Sequence, residues 1–81
     1  MPNPASGPAR LQLMLPEAGP VRIEVFDALG RRVGTPLDLS ELSAGRHVVE
    51  LDSGASLTPG LYFYRLQAAR RAISGRFVVV E

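Results

Sequence analysis

The chain contains no cysteine, no tryptophan and no lysine, and it has very little net charge. Without cysteine it can form neither disulfides nor zinc–thiolate sites and offers no thiol nucleophile, so packing alone must hold the fold. All nine basic residues are arginine and the formal net charge is +1, which gives no strong field to attract nucleic acid or acidic lipid. No apolar run approaches the ~20 residues that a membrane-spanning helix needs.

Groups suited to catalysis or metal binding are also scarce. The one histidine, His47, lies in an alternating apolar pattern, which favours a half-buried structural residue over a metal ligand. The eight acidic residues contain no calcium-loop motif, and the serines lack the pattern of a nucleophile elbow. We therefore predict a domain that is not an enzyme and that has no catalytic residue, metal ion or cofactor.

Alternating apolar and polar residues are abundant, in short segments separated by eight glycines and seven prolines. Period-two alternation is the signature of half-buried strands. The pattern predicts strands at residues 11–15, 21–26, 31–35, 46–52, 61–68 and 73–80. Pro36 is predicted either to stop the third strand or to confine it to a sheet edge. Residues 37–44 are predicted to form a short helical turn or an irregular crossover.

Six or seven short strands at intervals of about ten residues, with turn signals between them, predict an all-β antiparallel sandwich. Residues 1–10 hold three prolines and are expected to be an extended segment or the end of a linker. Residues 11–81 are expected to form a single sandwich domain, since 81 residues suit one domain.

Two side-chain groups allow both a structural and a functional interpretation. Arg70 and Arg71, with Arg65 and Arg76 across the predicted hairpin, are either a solvated hairpin end or an attachment point for an anionic surface such as lipopolysaccharide. In the aromatic triplet of residues 62–64, we expect Tyr62 and Tyr64 to point inward and Phe63 to face the other way, because neighbours on a strand alternate.

The last strand is the most suggestive segment. Its side chains suit both faces of a sheet, so we expect Val78 and Val80 to be exposed beside an unpaired backbone edge. An exposed apolar edge strand is a template for the addition of another strand. A partner protein could capture the strand in this way, and the same edge would predispose the domain to self-association. The alternative is that a neighbouring loop covers Val78 and Val80.

Five segments, in order along the chain, resemble the type A C-terminal sorting domain of proteins secreted by the type IX (Por) system. The first is Pro2-Asn3-Pro4, and the second is the strand and turn of residues 21–33 around Asp27, Gly30 and Arg31. The others are residues 42–47 around Gly45, the Gly-x-Tyr strand of residues 57–66, and the terminal strand of residues 75–80.

This resemblance implies a small immunoglobulin-like β-sandwich that acts as an address and not as a catalyst. It implies a fused N-terminal cargo enzyme, an outer-membrane translocon and a sortase-like peptidase as partners, export through the periplasm, and attachment to lipopolysaccharide at the cell surface. Sorting or recognition roles are implied for Pro2, Asn3, Pro4, Asp27, Gly30, Arg31, Gly45, Gly60, Tyr62, Arg65, Gly75, Phe77, Val78, Val79 and Val80.

Two other functions stay open on the sequence alone. An accessory carbohydrate-binding sandwich of a secreted glycosidase would need several coplanar aromatic rings exposed on one face. A structural spacer domain would need no recognition surface at all.

Overall fold

The computed structural model describes residues 9–52 and 57–80, and these form two antiparallel sheets. The strands are β1 (Arg10–Leu15), β2 (Gly19–Phe26), β3 (Arg32–Leu42), β4 (Gly45–Glu50), β5 (Gly60–Ala68) and β6 (Arg71–Val79). The smaller sheet pairs β1 with β4, and the larger has the order β3-β2-β5-β6. The predicted all-β antiparallel sandwich is therefore confirmed, with six strands in the described ranges. Within those ranges no helix is long and apolar enough to cross a membrane.

The core forms around β2, the strand whose alternation is cleanest in the sequence. Val21, Ile23 and Val25 are at most 1% exposed, because β2 has a neighbour on each side and the smaller sheet above it. Tyr62 and Leu66 extend this buried face onto β5. Burying each such side chain stabilises the fold by about 1.5–3 kcal/mol, so the β2–β5 pair holds the domain together.

The prediction for residues 37–44 is wrong, because β3 continues as a strand through Pro36 to Leu42. The physical reason is its place at the edge of the larger sheet, where a residue without an N–H is tolerated on the side away from the neighbouring strand. Of the two alternatives predicted for Pro36, the end of the strand is wrong and its confinement to a sheet edge is confirmed. The pairing with β2 is uneven, with three register shifts, and Leu39 takes a φ of 57°.

The hairpin of β5 and β6 is regular by contrast. Its nine residue pairs run without a shift from Gly60–Val79 to Ala68–Arg71. Ala69 and Arg70 form the two-residue turn, and Ala69 has a φ of 54°, the positive φ that the first central position of tight hairpin turns requires. The predicted bend at residues 69–72 is therefore tighter than expected, and β6 begins at Arg71.

Candidate functional site

One end of the larger sheet gathers most of the residues singled out in the sequence. The turn after β2, the start of β5 and the end of β6 meet there, since Phe26 pairs with Phe63 and Gly60 pairs with Val79. The residues at or near this end are Asp27, Gly30, Arg31, Gly60, Tyr62, Phe77, Val78, Val79 and Val80. We call this end of the sheet, which carries both buried and exposed members of the set, the β5–β6 end.

The turn between β2 and β3 is fastened by Asp27. Its Oδ1 accepts hydrogen bonds from the backbone N–H groups of Leu29 and Arg31, both at 2.9 Å, and its Oδ2 accepts one from Arg31 Nε at 3.0 Å. The Arg31 backbone N–H, followed by its side chain, holds the pKa of Asp27 below its usual range. Gly30 has a φ of 87°, a conformation that favours glycine. Asp27, Gly30 and Arg31 thus form one rigid turn.

A buried carboxylate beside this turn was not foreseen from the sequence. Glu24 is 7% exposed, and Arg32 Nη1 and Arg65 Nη2 donate hydrogen bonds to it at 3.1 and 3.2 Å. The bond from Arg32, with the help of Arg65, lowers the pKa of Glu24. Alternation predicts only that Glu24 faces away from the core. Its pairing depends on the register that sets Arg65 directly across from it.

The inner face of β5 and β6 follows the expected alternation. Tyr62 is buried and Tyr64 half-buried, whereas Phe63 is 38% exposed on the opposite face, as predicted. The Tyr62 ring stacks on Phe77 at 5.7 Å, and its hydroxyl donates a hydrogen bond to the Thr58 carbonyl at 2.7 Å. Buried tyrosines usually find such a partner for their hydroxyl. These aromatic residues therefore belong to the framework.

Gly75 lies opposite Tyr64 and makes room for it. A Cβ at Gly75 would come within 2.6 Å of the Cε2 carbon of the Tyr64 ring. Only glycine therefore lets the ring lie flat over β6 at this point. The glycine at position 75, to which the resemblance assigns a role in recognition, is therefore also needed for packing.

The outer face and free edge of β6 carry exposed apolar side chains. Val78 is 61% exposed and pairs with the exposed Leu61, next to Phe63 on the same face. Val80, just beyond the strand, is also exposed. In the described part of the sheet, β6 has β5 on one side and no strand on the other. An apolar strand with an unpaired backbone edge is thus present at the β5–β6 end.

Other predicted residues are not brought to this surface. Gly45 opens β4 and pairs with Leu15 in the smaller sheet, whereas the β5–β6 end belongs to the larger sheet. Pro2, Asn3 and Pro4 lie outside the described residues.

The arginines on the two strands of the hairpin are divided between the two faces of the sheet, and Arg70 lies in the turn. Arg65 and Arg76 pair with Ser74 and Phe63 on the outer face, whereas Arg71 pairs with Ala68 on the inner side of the sheet. Arg65 is in addition bound to Glu24.

His47 has a structural partner. Its Nε2 donates a hydrogen bond to the Ser43 carbonyl at 2.7 Å, and the side chain is half-buried as expected. Among residues 9–52 and 57–80, no three histidine or acidic side chains lie close enough together to hold a metal ion.

Comparison with known families gives a clear result. The family described as the secretion system C-terminal sorting domain matches residues 1–80. The chain belongs to this family. The sorting domain is a signal for type IX secretion, so a protein that carries it is directed to the cell surface or beyond. No curated protein and no solved structure gives a significant match to the chain.

Proposed function

We propose that the secretion machinery recognises this sorting domain at the β5–β6 end by adding a strand to the free edge of β6. The observation that carries this proposal is the contrast between the regular nine-residue pairing on one side of β6 and the absence of a neighbouring strand on its other side in the described sheet. Strand addition draws its affinity from main-chain hydrogen bonds and its specificity from alternate side chains. Val78 and Leu61 would supply the apolar contacts.

The rigid surroundings of β6 support this assignment. The Asp27 turn and the Glu24–Arg32–Arg65 ion pairs brace the same end of the sheet without covering the outer face of β6. A preorganised edge loses little conformational entropy when a partner strand docks. The domain would thus act as a fixed template, and a fused N-terminal cargo, which we take to be a hydrolase, would follow it through the outer-membrane translocon.

The proposal is tested with a reporter fused to the full chain in a host that has type IX secretion. Val78→Asp places a charge on the outer face of β6, and we expect surface display of the reporter to fall at least about tenfold, since a charge on an edge strand blocks pairing. Val48→Asp is the matched control, because Val48 is 56% exposed on β4 of the other sheet. Equal display of the two variants would contradict the proposal.

Cleavage by a sortase-like peptidase and transfer to lipopolysaccharide follow from the same proposed role. The fused reporter gives the readout, since cleavage shortens it and attachment to lipopolysaccharide shifts it to a broad, slow band on a gel. Because the arginines of the hairpin strands are divided between two faces, they do not form one basic patch that could bind an anionic surface. We therefore place any contact with lipopolysaccharide on the cargo side after cleavage.

The arrangement does not favour a carbohydrate-binding module. Of the five aromatic residues, Tyr62 is buried, Tyr64, Phe26 and Phe77 are half-buried, and Phe63 alone is classed as exposed. A sugar platform needs several exposed rings side by side. Retention of the domain on insoluble polysaccharide would reverse this conclusion.

A further inference from the structure

The turn between β5 and β6 fixes which main-chain groups of β6 point to its free edge. The two residues that flank a two-residue turn exchange hydrogen bonds, so the main chain of Arg71 faces Ala68 on β5. Hydrogen-bonded and non-hydrogen-bonded pairs alternate along an antiparallel ladder, and no register shift interrupts the nine pairs of this hairpin. The N–H and C=O groups that face the free edge therefore belong to Ala72, Ser74, Arg76 and Val78.

The side chains of these four residues lie on the outer face of the larger sheet, and all four are exposed. Of the four, Arg76 alone carries a charge. Residues that lie opposite each other on neighbouring strands share a face of the sheet. A strand added to this edge would therefore place one of its side chains on the outer face directly opposite Arg76.

The outer face around Arg76 has a small surplus of positive charge. Arg65 lies one pair further along β5 on the same face, at a diagonal position, which corresponds to roughly 7–8 Å between Cα atoms. Arg65 Nη2 and Arg32 Nη1 both bind the carboxylate of Glu24, at 3.2 and 3.1 Å. No ion pair among the described residues includes Arg76. This part of the face thus has room for a second carboxylate.

The inner side of the same edge is apolar. β1 and β6 are edges of their own sheets, and a groove of about 450 Å³ lies between β1 and the β5–β6 hairpin. Ile73 pairs with the buried Leu66 and so belongs to the inner face, yet it is 52% exposed. A strand added to β6 would place the side chains opposite Ile73 and Gly75 at the mouth of this groove. The groove is lined chiefly by Leu11, Leu13, Leu15, Tyr64, Leu66 and Ile73.

We propose that the strand captured by β6 carries an acidic residue opposite Arg76. This inference rests on the proposed strand addition and gives the chemistry of the partner segment. In an antiparallel strand, an apolar residue opposite Val78 would be followed two positions later by aspartate or glutamate opposite Arg76, and the next residue, opposite Gly75, would be apolar. Opposite charges on facing strands stabilise the pairing, and the planar guanidinium group of arginine matches a carboxylate. A basic residue at this position would be repelled.

A second copy of the domain suits this edge less well. In an antiparallel pair of two β6 strands, each copy would offer the other the same four outward residues, and none of these is acidic. In the register that uses all four, Arg76 of one copy lies opposite Ser74 of the other and diagonal to its Arg76. Long side chains reach each other at diagonal positions, so the two like charges would repel.

The test titrates the full chain with synthetic peptides as long as residues 72–78. The peptides share alternating threonine and valine and differ only opposite Arg76, where they carry glutamate, glutamine or lysine. Binding is followed by NMR through hydrogen exchange of the Ser74, Arg76 and Val78 amides, which face the free edge. We expect the glutamate peptide to bind about threefold more tightly than the glutamine peptide, as suits an exposed ion pair. The lysine peptide should bind about tenfold more weakly than the glutamate peptide.

A charge reversal on the domain sharpens the test. Arg76→Glu should invert the preference, so that the lysine peptide binds about tenfold more tightly than the glutamate peptide. Arg46→Glu is the matched control, because it makes the same change of net charge at an exposed position of β4 in the smaller sheet. This control should keep the parent's preference within about twofold. An equal change in both variants would show that net charge decides the affinity, and it would overturn the inference.

The other outcomes distinguish this inference from the strand addition on which it rests. If the three peptides protect the edge amides equally, strand addition stands and the acidic partner is wrong. If none of them protects these amides, both proposals fail. Protection that rises with protein concentration in the absence of peptide would identify a second copy as the occupant and would likewise overturn the inference.

Discussion

The two edge strands of the larger sheet, β3 and β6, differ in their regularity. On one side, β3 carries Pro36, three register shifts against β2 and the strained residue Leu39. On the other side, β6 has no proline, and its nine residue pairs with β5 run without a shift. Irregular, proline-bearing edges resist pairing with other chains, whereas flat apolar edges invite it.

This difference bears both on the stability of the domain and on the recognition that we propose at β6. On the β3 side, Leu37 and Leu42 contact the buried core. The β6 side leaves Ile73 and Val78 exposed and depends on glycine at position 75 for its internal packing. Exposed apolar groups add little to stability but are available to a partner. The exposed apolar side chains of β6 therefore suit the strand addition that we propose for this edge.

The largest effect is expected when a buried isoleucine of the core and a half-exposed isoleucine of β6 are each shortened to alanine. Ile23→Ala, at a fully buried position of β2, should cost about 2–5 kcal/mol of the free energy of unfolding. Ile73→Ala, at a position of β6 that is 52% exposed, should cost about 1 kcal/mol, since only about half of its side chain leaves water on folding. Urea denaturation of both variants measures the difference. Equal losses would show that the groove side is as well packed as the core.

The next effect concerns the close contact of Tyr64 with β6. Gly75→Ala should destabilise the domain by about 1–3 kcal/mol, because the new methyl group overlaps the ring and forces it to move. Gly34→Ala on β3 is the matched control, since a Cβ there meets nothing within 4 Å. If the two variants have the same midpoint in urea, the ring does not lie over Gly75 in solution.

The sequence allowed the fold class and much of the core to be predicted, because both depend on period-two alternation. Val21, Ile23 and Val25, and the inward pair Tyr62 and Tyr64, lie on the faces that this pattern indicates. The exposed edge at Val78 was also expected from the side chains of the last strand. Local chemistry explains the turn at Asp27 equally well.

Features that depend on which strands become neighbours were not predictable in this way. A proline interrupts a strand that has neighbours on both sides. Pro36 is tolerated in β3 because β3 lies at the edge of its sheet. The ion pairs of Glu24 join side chains 8 and 41 residues apart, so they require the registers of two strand pairs. The open groove requires knowledge that β1 and β6 are both edges.

A smaller effect should appear on acidification, at the braced end of the sheet. The pKa values of Glu24 and Asp27 are lowered in the folded state, mainly by hydrogen bonds from Arg32 and Arg31 respectively. Their stabilising contribution is therefore complete above the unfolded-state values of about 4.3 and 3.9, and it is lost as the pH falls through the folded-state values. Urea denaturation from pH 6 to pH 3 should show this fall, and Glu24→Gln should make it shallower. The control is Glu17→Gln in the exposed turn between β1 and β2, which should keep the parent's dependence of stability on pH. The idea fails if Glu24→Gln also keeps it.

The smallest expected effect tests whether the hairpin that presents β6 is strained. Ala69 holds a φ of 54° in the two-residue turn, and this conformation costs a residue with a Cβ roughly 1–2 kcal/mol. Ala69→Gly removes that strain but adds freedom to the unfolded chain, which offsets about 0.4–1 kcal/mol of the gain. A net stabilisation of about 0.5 kcal/mol should result, measurable as a higher urea midpoint. A loss of stability would mean that the turn adopts another geometry in solution, and the regular register of β6 would then need a different origin.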